Sequence, residues 1–439
     1  MTAPPPELAA LLAACRARPA DDLPRLVLAD WLDEHGQPER AEFVRVQVEL
    51  SHPTADTERT ALLKHTERRL LTRHEDEWVG GCKAALQAMR PPLRPDRRGY
   101  TGPLPPAHKF VRGLLRIGNA VQFVNRGELR EWLRSPELPW LEQVSLEFNT
   151  VDGFVKAEWP DELTNRIGLT IDLRNYRFDP ATHREQFRLV AVSSNFASVR
   201  SFTVLGASGE VVLDEITGAD VSPLVEMTLT GGVDQRVASL VASAPFTSLS
   251  SLDIGPISEA GLRALIASPH LGNLTHLDLR GSPIGDAGVI ALCRSRLADT
   301  LRSVEFPNTG ISDIGLTALV RSPLFAHMHG PRLNLMMNRI GDAGLTALAE
   351  SEHLLRFREL VLRENVVGDD GVEALAASPY AANLQYLDFW RNRITDRGAR
   401  ALARSPHLNK VVDLSVKENA VTAAGAAALH ERFGERAKT

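Results

Sequence analysis

Leu274-Thr275-His276-Leu277-Asp278-Leu279-Arg280-Gly281-Ser282-Pro283-Ile284-Gly285-Asp286-Ala287-Gly288 changes its hydrophobic period halfway along. Leu277 and Leu279 alternate with polar neighbours, the spacing of a short strand that buries one face. Past Ile284 the alternation stops, and Asp286 and Gly288 stand where a helix should begin. The pattern returns as Leu301, Val304, Phe306, Thr309, Ile311, Asp313, Gly315, and again as Leu384, Leu387, Phe389, Asn392, Ile394, Asp396, Gly398. Its glycine falls at Gly261, Gly288, Gly315, Gly344, Gly371, Gly398 and Gly425, with spacings of 27, 27, 29, 27, 27 and 27. A fixed period of this size predicts a solenoid of strand-plus-helix repeats, each coil burying the face of the next.

Each position in the repeat has a physical reading. Three residues after the last strand residue stands a polar side chain: Ser282, Thr309, Asn338, Asn365, Asn392 and Asn419. Buried at the turn, it is expected to bond the backbone of its own and the adjacent coil, forming a ladder. Asp286, Asp313, Asp342, Asp369 and Asp396 sit at the expected helix start, where a carboxylate satisfies free amides as an N-cap. The glycine just inside is read as leaving room for the helix to approach the strand. Leu345 and Leu348 point inward from the helix. Ser-Pro pairs (Ser268-Pro269, Ser322-Pro323, Ser378-Pro379, Ser405-Pro406) end it, because proline disfavours helical geometry in the residue before it.

These residues resemble the leucine-rich repeat, specifically its ribonuclease-inhibitor-like type. The resemblance covers about Leu249 to Phe433 in seven copies. It implies an α/β solenoid, a horseshoe with parallel strands on the concave side and helices on the convex side. The pattern lapses at Gly330, which occupies a usual strand leucine, and at Ala423, where the capping aspartate is missing. Near Leu252 the repeat is two residues short. Upstream, Leu141-x-x-Val144-x-Leu146, Val199-x-x-Phe202-x-Val204 and Leu224-x-x-Met227-x-Leu229 read as strand cores of degenerate early repeats. The expected division is a helical module at 1–90, a proline-rich linker at 91–109, degenerate repeats at 110–248 and regular repeats at 249–439.

The first 90 residues read as four helices: Glu7 to Ala17, Leu23 to His35, Glu39 to Leu50 and about Thr57 to Trp78. Pro24 and Pro38 suit first helical turns and Gly36 suits a left-handed helix end. Such a bundle would cap the open end of the array. Pro24-Arg25-Leu26-Val27-Leu28-Ala29-Asp30-Trp31-Leu32-Asp33-Glu34-His35-Gly36, followed by Glu39-Arg40-Ala41-Glu42-Phe43-Val44-Arg45, is similar to the bacterial repeat-companion domain over roughly 8–50. That resemblance implies a bacterial repeat protein and no chemistry. Asp30 and Glu34 share a helix face while His35 lies away from them, so an acidic face and a helix-end histidine account for these residues without a metal. Arg25, Arg40, Glu42 and Arg45 are expected to pair with each other and with the acidic residues. The linker holds prolines at 91, 92, 95, 103, 105 and 106, with Arg94, Arg97 and Arg98 as an alternative basic docking strip.

Bulk composition narrows the function classes. A chain of 439 residues is too long for one ordinary core, and 44% hydrophobic with 24% charged residues is a globular balance. The net charge of −5, from 50 basic and 55 acidic residues, gives no field favouring nucleic acid or an anionic membrane. Cys15, Cys82 and Cys293 form neither a disulfide framework nor a zinc spacing, and no signal peptide precedes them, which points to the cytoplasm. No phosphate loop, nucleophile elbow or His-Glu-x-x-His run is present, so no enzymatic activity, cofactor or metal is expected. A monomeric scaffold binding a protein partner on its concave face is expected instead. The outward strand positions nominate Trp390, Tyr386, Arg363, Met336, Asp388 and Arg332, because aromatic and arginine side chains anchor interfaces. Two alternatives stand: a regulator of an enzyme, as GTPase activator or active-site-occluding inhibitor, and a structural member of an expanded family with no specific partner.

Overall fold

The computed structural model describes residues 5–17, 21–52, 57–88, 107–111, 114–118, 140–148, 167–172, 180–193, 196, 199–205, 209–216, 224–230 and 246–439. The linker stretch 91–106, with its arginines, lies outside the described residues. Chain contacts divide the protein into two compact units, one of 1–175 with 188–203 and one of 176–187 with 204–439.

In the first unit, helices α1 (Pro6–Ala17), α2 (Leu23–Glu34), α3 (Pro38–Leu50) and α4 (Thr57–Ala88) follow the expected starts, with α4 running past Trp78. Gly36 takes the left-handed conformation (φ 76°) after α2, a region open to glycine because it has no Cβ. Leu8, Leu12 and Cys15 of α1 meet Leu28, Ala29 and Leu32 of α2 and Ala41, Val44 and Val48 of α3. Leu114 and Trp140 complete this core, so the bundle's interior continues into the first strands. Strands β1 (Ala107–Val111) and β2 (Leu114–Gly118) form an antiparallel hairpin, and β3 (Leu141–Phe148) and β4 (Ile167–Asp172) add to β2 in parallel. Phe43 meets the Trp78 ring at 4.9 Å and stands edge-on to Phe110 at 5.0 Å, an arrangement that favours the ring quadrupoles. Arg45 pairs with Asp30 (2.7 Å) and Asp33 (2.6 Å), and Arg69 with Glu42 (3.0 Å). Arg40 lies over the Trp140 ring, 3.4 Å from its centroid. Arg25 is fully buried and donates to the Asp21 carbonyl at 3.1 Å.

The upstream strand cores Val199 to Val204 and Leu224 to Leu229 lie on strands β5 (Val199–Leu205) and β6 (Glu226–Thr230). In the second unit β6, β7 (Ser251–Asp253), β8 (His276–Asp278) and β9 (Ser303–Glu305) run parallel. So do β10 (Arg332–Asn334), β11 (Glu359–Val361), β12 (Tyr386–Asp388), β13 (Asp413–Ser415) and β14 (Ala437–Lys438). Strands β7 to β13 are only three residues long, yet Leu274, Leu277, Leu279 and their counterparts are buried. The helices end where the Ser-Pro pairs require, at Ala267, Ala377 and Arg404, each just before its serine.

Between β9 and β10 the ladder is interrupted, and Pro331 is the cause. In neighbouring coils two successive amides donate to one carbonyl, as Arg302 and Ser303 do to Thr275 and as Arg358 and Glu359 do to Pro331. The first donor at β10 would be Pro331, which has no N–H. His329 supplies the bond to the Arg302 carbonyl instead, at 2.9 Å, and Gly330 turns the chain at φ 146°. The irregularity expected at Gly330 therefore has a backbone origin.

Candidate functional site

Two ladders hold the strand face in register. In the first, Asn365 Oδ1 accepts the Ile340 amide (2.9 Å) while its Nδ2 donates to the Leu335 and Leu362 carbonyls (2.9 and 3.0 Å). Asn338, Asn392 and Asn419 repeat this, each tying its own coil to the preceding one. The polar position thus behaves as the sequence predicts.

The aspartate ladder differs from expectation. Asp369 Oδ1 accepts the amides of Thr395 (2.8 Å) and Gly398 (2.9 Å), which open the helix of the following repeat. Asp286, Asp313, Asp342 and Asp396 do the same one repeat forward, while Ser258, Ser312, Thr395 or Thr422 caps its own helix. The repeat glycine makes room for that carboxylate: a Cβ on Gly398 would stand 2.6 Å from Asp369 Oδ1, and one on Gly425 2.4 Å from Asp396 Oδ1. At Ala423, where the pattern lapses, Thr422 caps the helix and Asp396 of the preceding repeat accepts the Thr422 amide at 2.7 Å. Burial opposes the charge on Asp369, but the bonds from Thr395, Gly398 and Arg397 outweigh it and hold its pKa below the usual carboxylate value.

A third repeated feature was not legible beforehand. The residue before each ladder position is left-handed: Gly281, Asn308, Met337, Glu364, Arg391 and Glu418, with φ between 53° and 73°. Only two of these are residue types that favour the region, so composition gave little warning. Gly281 and Asn308 at one register were the available signal. Arg391 is one of these residues, and its side chain reaches the ring of the neighbouring Trp390.

On this frame the nominated residues come together in part. Arg363 lies over the Trp390 ring with its guanidinium carbon 4.6 Å from the centroid, and Arg391 lies over the same ring at 5.3 Å. Arg391 also reaches Glu364 (3.8 Å) and Glu418 (3.6 Å). The Trp390 backbone is fixed on both sides, its amide bonded to Asp388 Oδ1 (3.0 Å) and its carbonyl to the Glu364 amide (2.8 Å). Asp388 is only 7% exposed, and its Oδ1 is engaged by the Trp390 amide, so it offers little to a partner. Tyr386 is half-buried between its register partners Glu359 and Asp413; burial first, then the carboxylates Asp388 and Asp413, raises its pKa. Met336 is half-buried and Arg332 exposed, the latter 3.8 Å from Glu359. Val361, also an outward position, is 1% exposed, so adjacent side chains close over the middle row.

Toward β7 the same face is acidic. Asp253, Asp278 and Glu305 stand on successive strands at one register, an unfavourable stacking of like charge. Desolvation first, with Asp278 adding, raises the pKa of both Asp253 and Glu305. Among the described residues no cluster of three metal-ligating side chains occurs, and no helix is long and apolar enough to cross a membrane.

A family model described as Leucine Rich repeat matches residues 270–293, 332–349, 357–376 and 380–403. No curated protein sequence matches the chain. Among solved structures, an internalin (InlF) from Listeria monocytogenes is 16% identical with a TM-score of 0.38, over 70% of this chain and 88% of that one. The ectodomain of the Arabidopsis thaliana receptor kinase GASSHO1/SCHENGEN3, in complex with CASPARIAN STRIP INTEGRITY FACTOR 2, is 10% identical with a TM-score of 0.21, over 67% and 48%. The matched repeats, the parallel strands and the helices that follow β7 to β13 make the regular region an α/β leucine-rich-repeat solenoid.

Proposed function

We propose that the strand face from Arg332 to Lys417 binds an extended segment of a protein partner, with Trp390 as its anchor, and that the chain acts as a non-enzymatic scaffold. The observation that supports this reading is the half-buried indole of Trp390, over whose ring the guanidinium groups of Arg363 and Arg391 both lie. An aromatic ring fixed in this way loses little conformational freedom on binding, which leaves more of its contact energy as affinity. Arg363, Tyr386, Met336 and Arg332 supply adaptable polar and apolar contacts on the same face, and Asp388 fixes the Trp390 backbone through its amide. Strand registry fixes the spacing of these groups, so the partner is read by the pattern of side chains on neighbouring coils.

The test is affinity capture from the native cell with wild type, Trp390→Ala and Arg363→Ala chains, followed by mass spectrometry. A partner held by the wild type should be lost with Trp390→Ala, since truncating such an anchor costs about 2 kcal/mol or more. A partner retained unchanged by both variants would remove this face as the site.

A further inference from the structure

Helix α2 carries two apolar stripes. Leu28, Ala29 and Leu32 enter the bundle core, whereas Leu23, Val27 and Trp31, spaced four apart, form a second stripe in which Leu23 and Val27 are exposed and Trp31 is partly buried against the core's edge. Leu23 is 62% exposed, Leu26 39% and Val27 44%, a concentration of exposed hydrophobic side chains on one helix. Between this stripe and α1 lies a cavity of about 480 Å³ whose apolar walls are Ala10, Leu11, Val27 and Trp31. Its rim is formed by the carboxylates Glu7, Asp30 and Glu34. Asp30 is already bonded to Arg45, but Glu7 and Glu34 have no ion-pair partner among the described residues. Trp31 Nε1 is shielded from solvent and without an acceptor among the described residues, while His35 stacks on its ring at 3.8 Å.

We propose that this groove takes a basic amphipathic segment of a protein partner. An arginine or lysine stem would lie on Leu11, Val27 and Trp31, and its cation would face Glu7 and Glu34. Long basic side chains are suited to such a site because their methylenes cover apolar surface while the charged end stays at a polar rim. Charge complementarity selects this occupant over the others. A second copy related by a two-fold axis would set Glu7 and Glu34 against the same carboxylates. An anionic membrane surface would be repelled by the same rim. The helical module is then a second recognition element, independent of the strand face and of Trp390.

The experiment uses the full chain and a labelled peptide of leucine and arginine in amphipathic helical spacing, with a leucine–glutamate peptide of the same pattern as control. Fluorescence anisotropy should show saturable binding of the arginine peptide, about tenfold weaker to the Glu7→Gln/Glu34→Gln chain. Val27→Asp should abolish it, with each variant's melting temperature checked against the wild type. Trp390→Ala should leave it unchanged, separating this groove from the strand face. Equal binding by the glutamine variant, equal binding of the glutamate peptide, or no saturation would overturn the proposal. So would a dimer in light scattering that Val27→Asp dissolves, which would assign the groove to a second copy.

Discussion

Asp369 Oδ1 accepts the amide of Gly398, twenty-nine residues further on, at 2.9 Å, and the missing Cβ of Gly398 is what lets the carboxylate in. The two residues form one clamp between successive repeats. Gly398→Ala is expected to lower stability by about 1–3 kcal/mol, since its Cβ would also stand 2.9 Å from Ile394 Cγ2. Asp369→Ala should cost a similar amount by leaving helix-end amides without an acceptor. Because the first change already displaces the carboxylate, the double variant should cost less than the sum in urea unfolding. Strict additivity would dissolve the clamp.

Asn365 satisfies buried backbone groups on two coils, and water cannot take its place there. Asn365→Ala should therefore cost about 2–4 kcal/mol. Asn419 makes equivalent bonds, but its Nδ2 bond to Lys417 lies at the exposed edge, so Asn419→Ala should cost less. Comparing the two denaturation midpoints checks the order.

Met337 is 41% exposed and left-handed at φ 57°, a conformation that disfavours a side chain. Met337→Gly relieves about 1–2 kcal/mol of backbone strain. It also frees the unfolded chain by about 0.5–1 kcal/mol. A net gain of a few tenths of a kcal/mol to about 1 kcal/mol is expected. Thermal unfolding reads it directly, and a lower melting temperature would refute the strain argument.

Stability should depend on pH in two opposed ways. Asp253 and Glu305 have folded pKa values above their unfolded ones, so the folded chain binds more protons and gains stability as pH falls from neutrality toward about 4. Asp369 and Asp396 have folded pKa values below their unfolded ones. Their contribution is present above about pH 4 and is lost as pH falls through the folded values. Melting temperature should rise slightly from pH 7 to 5 and fall below pH 4. Asp253→Asn should flatten the first limb and leave the second.

Much of the architecture was readable because it rests on local chemistry that repeats. Strand alternation at Leu277 and Leu279 and the helix stops at the Ser-Pro pairs depend on neighbours a few positions away, and the ladder residues from Ser282 to Asn419 show themselves by recurring at one place in the repeat. A period of 27 residues then stacks them. The aspartates were legible as helix-end carboxylates, but not which helix they serve, since sequence position cannot distinguish a cap on its own coil from one on the next. In the same way Trp390 could be placed on the strand face, whereas Arg391 could not, because its left-handed backbone carries no glycine to mark it.

Taken alone, the sequence determined the repeat, its period and the residues that line each coil, because hydrophobic spacing and turn chemistry act within a few residues. Beyond the polar ladder, only the tertiary structure decided which side chains meet across coils. Asp369 reaches forward to Gly398, Pro331 interrupts the strand ladder, and Arg363 and Arg391 lie over the Trp390 ring. Those contacts depend on the offset between stacked coils, a distance set by packing and absent from the order of residues along the chain.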